Sequence, residues 1–93
     1  MSVELTPNRD GCSCMGVANK TFYDMVNGSG MSEVIGRQQT NDPIEVSADE
    51  ALRCKELLLA WSPPDGWGSG ISAPTIRRYF LDFFTCCDGF TTH

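Results

Sequence analysis

The fold turns on the stretch "TIRRYFLDFFTCCDGFTTH", residues 75–93. Within it Ile76, Tyr79, Phe80, Phe83, Phe84 and Cys87 recur at i, i+3, i+4, i+7, i+8 and i+11. That is the spacing of one helical face, so the stretch predicts an amphipathic helix with a heavily aromatic buried side. Ser72 is placed to cap this helix, and Pro74 is tolerated in its first turn, where no backbone donor is needed. Gly89 is placed to stop it. The tail "GFTTH" is then free to return as a short strand beside the first strand of the chain.

Working back from that helix, "SPPDGWGSGI" holds two prolines and three glycines and reads as a loop. Before it, "SADEALRCKELLLAW" (47–61) carries the clearest local signal. Ser47 followed by Glu50 is a capping box, in which each side chain takes the other's orphan amide. Asp49 and Glu50 favour the positive end of the helix dipole. Asp49 and Arg53 stand at i,i+4 with the acid first, the better orientation for an ion pair. Ala51, Cys54, Leu58 and Trp61 form the apolar stripe of this second helix, with Leu57 at its edge and Ala48, Leu52 and Leu59 on the other flank.

The N-terminal half is less decisive. "SVELTP" alternates, with Val3 and Leu5 to one side and Ser2, Glu4 and Thr6 to the other, which predicts a half-buried strand ended by Pro7. "NRDGCSC" is turn chemistry. "ANKTFYDMVNGSG" reads as a first helix, capped by Asn19, with Ala18, Phe22, Met25 and Val26 on one face and Asn27-Gly28 at its end. Glu33–Ile35 and Ile44–Val46 are two short apolar pieces, parted by Gly36 and Asn41-Asp42-Pro43, that suggest a small hairpin. The fold class expected is α+β: three helices packed with a small sheet, in one compact domain spanning residues 1–93.

Bulk composition narrows the function. At 41% hydrophobic and 20% charged, the 93-residue chain is ordinary for a globular domain rather than a disordered one. A net charge of −5 argues against direct nucleic-acid binding, which needs clustered Lys and Arg. The start "MSVELTPN" lacks a basic region followed by an apolar one, and no apolar run approaches membrane length, so the expected place is the cytoplasm, away from membranes. There the five cysteines are expected to stay reduced, and their odd number weighs against a disulfide framework.

The candidate chemistry is sparse. Cys12, Cys14, Cys86 and His93 would together supply a tetrahedral zinc set, since thiolates and imidazole bind zinc readily. Their spacing is tighter than the usual pairs, and adjacent cysteines on a helix diverge by about 100°. Cys54 and Cys87 fall on buried faces and read as small hydrophobes. A Cys12–Cys14 redox pair has only Arg9 nearby to favour a thiolate. A terminal histidine is expected to be poorly held and makes a poor general base; with no second histidine, Ser-His and Cys-His systems have none. No phosphate loop, HExxH or dinucleotide fingerprint occurs. Neither a cofactor nor an enzymatic activity is expected.

Binding residues remain. Trp67 sits between two glycines in a stiff loop, either folded back between the second and third helices or exposed as an anchor for a partner, with Asp65 beside it. Asp42, Glu45, Asp49, Glu50 and Glu56 crowd the approach to the second helix and would face a basic partner surface. An odd cysteine count and an aromatic helix also leave a homodimer open.

"NDPIEVSADEALRCKELLLAW" followed by "YFLDFFTCCDGF" resembles a loose family of small bacterial and phage-type proteins. In these an Asn-Asp turn, a short strand, a Ser-capped helix and a final helix ending in Phe-x-x-Phe-Cys and Gly-Gly-Phe recur; here Asp88-Gly89-Phe90 stands at the end. The resemblance implies this order of elements over the last half of the chain and carries no catalytic residue across. The expected function is that of a small acidic protein that binds and occludes a partner protein bearing a basic or nucleic-acid-binding surface. Chains of this size and charge are common among phage and mobile-element inhibitors, anti-CRISPR proteins included. The alternative is a module that binds a small molecule on the aromatic helix face, or zinc.

Overall fold

The computed structural model describes residues 2–36, 43–69 and 73–93. The expected Ser72 cap and Asp42 lie outside the described residues. The architecture is α+β: among the described residues a four-stranded antiparallel sheet carries helices on one face. The first strand, β1 (Ser2–Pro7), pairs with β2 (Met15–Ala18) on one side and with the last strand, β4 (Phe90–Thr92), on the other; β4 pairs in turn with β3 (Glu45–Val46). Among the described residues four α-helices fill the connections: α1 (Asn19–Ser29), α2 (Ser32–Ile35), α3 (Ala48–Ala60) and α4 (Ala73–Cys86).

The alternation seen in β1 sets the sheet's two faces. Val3 and Leu5 are buried, opposite Val17 and Met15 of β2 and, for Leu5, Thr92 of β4. Because side chains alternate, the other face carries Glu4, Gly16, Glu45 and His93, all exposed. The tail does return beside β1, and the pairing continues past it: His93 N–H donates to Glu4 O at 2.8 Å and Glu4 N–H to His93 O at 3.0 Å. The backbone of His93 is therefore held, against expectation, while its side chain stays in solvent.

On the inner face α4 supplies the core. Phe80, Phe83, Phe84 and Cys87 are buried as the periodicity predicts, and Phe83 and Phe84 meet Phe90 of β4 at ring centroids 5.5 and 5.8 Å apart. Tyr79 departs from the stripe and is 60% exposed. It lies at the edge of the aromatic face, where a phenol can remain wet. In α3 the capping box forms as read, with Glu50 N–H to Ser47 Oγ at 3.2 Å and Ser47 N–H to Glu50 Oε1 at 3.0 Å. The Asp49–Arg53 pair does not close; the ion pairs within 4 Å among the described residues are Lys20–Asp24 and Arg9–Asp88.

Several local expectations change for packing reasons. Glu33–Ile35 lies in α2 rather than a hairpin, and β3 pairs with β4 instead. Met15–Ala18 is a strand the alternation did not announce. Asn19 is the first residue of α1, with Ala18 at the cap, and its side-chain oxygen is buried without a partner. Nor does α1 end at Asn27-Gly28: it runs to Ser29 and ends on Gly30 at φ +92. Gly28 lies inside the helix, and the Trp61 ring at the end of α3 packs against it, 3.2 Å from where a Cβ would stand. Within the proline-glycine loop, Trp67–Ser69 form a short 3-10 turn.

Candidate functional site

Trp67 is the first correction. It is 3% exposed and packs edge-on against Trp61, with ring centroids 5.3 Å apart. Its indole N–H donates to Thr21 O of α1 at 2.9 Å. A buried indole needs such a partner. The residue thus joins the loop to α1 and α3 and is not an exposed anchor. Asp65, two residues before it, is exposed.

The acidic residues divide among surfaces. Glu45 is on the open face of the sheet. Glu50 is partly buried and occupied in the capping box. Asp49 and Glu56 lie on the outward face of α3. With helical residues advancing about 100° each, Asp49, Leu52, Glu56 and Leu59 fall within a sector of roughly 80°. Leu52 is 50% and Leu59 55% exposed. Sequence reasoning put these leucines on the flank of the stripe and missed them as surface. Their heptad spacing, apart from the buried trio Ala51, Cys54 and Leu58, is the signal that marks them.

The end of this face is pinned by α4. Arg77 donates to the carbonyls of Leu58 and Leu59 at 3.1 and 3.2 Å. A guanidinium there satisfies carbonyls left free at the helix end and opposes the negative end of the dipole. The face is thereby held on a rigid element.

Cys54 and Cys87 are buried as expected, but the other cysteines are arranged differently. Cys12 and Cys86 are joined by a disulfide, with Cα atoms 5.8 Å apart. This overturns the reading of all five cysteines as reduced, and it takes two sulfurs out of the set Cys12, Cys14, Cys86 and His93 as thiolate ligands. Among the described residues no three His, Cys, Asp or Glu side chains converge as a metal would require. Cys14 is a free, exposed thiol, whereas Cys54 and Cys87 are free and buried. Burial pushes the Cys54 thiol up to about 12, with Glu50 adding to the effect, and it raises Cys87 as well. Both therefore stay protonated and unreactive.

The chain reaches this disulfide through its backbone. Asn8 N–H donates to the carbonyls of Cys87 and Gly89 at 3.0 and 2.9 Å, and Arg9 N–H to Cys87 O at 3.0 Å. Asp88 at φ 56 and Gly89 at φ +89 turn the end of α4 toward those amides. A further turn, with Cys12 N–H to Arg9 O at 3.4 Å, lays Cys12 on Cys86.

No family model, curated protein or solved structure matches this chain. The geometry is therefore what speaks to function. Two surfaces stand out: the outward face of α3, and a groove of about 490 Å³ in which Cys12, Cys14 and Cys86 meet Tyr79, Asp82 and Phe83. Among the described residues no helix is long and apolar enough to cross a membrane.

Proposed function

We propose that this chain is a non-enzymatic interaction protein that binds another protein through the outward face of α3. The supporting observation is the pair of half-exposed leucines, Leu52 and Leu59, set among Asp49 and Glu56 on one sector of a pinned helix. Apolar anchors beside charge are what a helix-in-groove contact uses: the leucines enter a pocket while the carboxylates meet basic residues at its rim. The partner surface is accordingly apolar at its centre and basic at its edge, and occupying it would block whatever that surface binds. This is how an inhibitor of the phage or mobile-element kind would act. The leucines take the anchoring role that the sequence offered to Trp67. A disulfide forms and persists in oxidising surroundings, so the Cys12–Cys86 bond favours such a compartment over the reducing cytosol.

The test is affinity capture with the wild type, L52S/L59S, D49K/E56K and a control, E4K, on the open sheet face. All five substituted sites are exposed, so each variant should melt close to the wild type. A partner retained by the wild type and E4K, but lost from both α3 variants, is expected. Equal retention by all four chains would refute the assignment of α3.

A further inference from the structure

We propose that the groove between the residue 11–16 segment and α4 is a thiol–disulfide exchange site, with Cys14 the attacking thiol and the Cys12–Cys86 bond its internal substrate. Three cysteines in two oxidation states line one groove: a disulfide and, two residues from one of its sulfurs, a free exposed thiol. The remaining thiols are excluded by burial, Cys54 inside α3 and Cys87 beneath the end of α4. Cys14 is thus the accessible nucleophile.

The step balances without an outside oxidant. Cys14 gives its proton to solvent, and its sulfur attacks Cys12 Sγ. A Cys12–Cys14 bond forms, the Cys12–Cys86 bond breaks, and the electron pair leaves on Cys86, which takes a proton from solvent. The reach is available. Cα atoms two residues apart are at most about 7 Å from each other, and disulfides span about 4.4–6.8 Å. The adjustment falls at Ser13, which is exposed and lies outside helix and strand, so no ladder hydrogen bond is lost.

The product differs in structure from the starting form. The disulfide ties the β1–β2 connection to the last residue of α4. After exchange that tie is gone, and the backbone bonds from Asn8 and Arg9 to Cys87 hold the two together. Cys86 becomes a half-buried thiol in the groove, available to an external thiol or disulfide. The ionisable side chains lining the groove besides the cysteines are Tyr79 and Asp82 of α4; Asp10 and the exposed Arg9–Asp88 pair stand within three residues of Cys12 or Cys86 in sequence. The thiolate is the attacking form, so the step accelerates with base.

Tryptic peptides read the outcome directly. Cleavage after Arg9, Lys20 and Arg78 yields peptide 10–20, with Cys12 and Cys14, and peptide 79–93, with Cys86 and Cys87. The starting form gives these two peptides crosslinked; the exchanged form gives peptide 10–20 alone, with an internal disulfide. Air-oxidised protein is incubated at a series of pH values, quenched in acid, alkylated, digested and weighed. The internally oxidised peptide should accumulate, its initial rate rising up to about tenfold per pH unit because only the thiolate attacks. C14S should give the crosslinked pair alone. Three results would each overturn the proposal: wild type that stays crosslinked with Cys14 alkylated at every pH, exchange that persists in C14S, or oxidised protein without the Cys12–Cys86 bridge.

Discussion

Replacing Trp67 by phenylalanine separates a packing role from a binding role. In the structure the indole is almost wholly enclosed, donates to Thr21 O at 2.9 Å and packs edge-on against Trp61. Phenylalanine keeps an aromatic ring in place but removes the N–H and part of the ring volume. The lost hydrogen bond costs about 1 kcal/mol. The void left by the smaller ring costs about 1–2 kcal/mol more, well below the ~3–5 kcal/mol of truncation to alanine. A total of about 2–3 kcal/mol in a domain of this size lowers the melting temperature by roughly 10–20 °C. Thermal unfolding followed by circular dichroism measures this shift, and W67F should still retain any partner captured by the wild type below its own melting temperature. A W67F protein that melts within a degree or two of wild type, yet no longer retains the partner, would refute the reasoning and return Trp67 to the surface.

Two further outcomes follow from single positions. Gly89→Ala places a methyl 2.6 Å from Val46 O at a backbone φ of +89, so strain and collision act together, and a loss of at least about 2 kcal/mol is expected in urea unfolding; an unchanged midpoint would mean that β3 and the end of α4 do not approach as described. Cys12→Ala opens a covalent loop with a sequence separation of 74, for which chain entropy gives up to ~4.5 kcal/mol. Its urea midpoint should fall and become indifferent to reductant, while the wild type should move toward it when reduced.

Much of the fold was legible because it depends on near neighbours. The α4 stripe, the Ser47–Glu50 box and the β1 alternation are each decided within a few residues, by period and by cap chemistry. The return of β4 beside β1 was legible too, but the disulfide was not. The ladder ends at Pro7 and Phe90, and Cys86 belongs to α4. The bond depends on the turn at Asp88-Gly89 and on the Asn8 and Arg9 amides meeting Cys87 O, contacts between distant residues that counting cysteines and weighing compartments could not reveal.

The candidate site was less legible, because exposure is a property of the assembled surface. Sequence alone determined the acidic character of the chain, the helical phase of Asp49, Leu52, Glu56 and Leu59, and the burial of Cys54 and Cys87. Only the tertiary structure decided that Leu52 and Leu59 remain in water, since that depends on where α4 crosses α3 and on Arg77 closing the end of α3. It likewise decided that Trp67 folds inward, because its hydrogen-bond acceptor, Thr21, lies far back in the chain on α1. Local periodicity fixes which face a side chain occupies on its own helix; what covers that face is set by contacts between residues distant in sequence, and those exist only once the chain has folded.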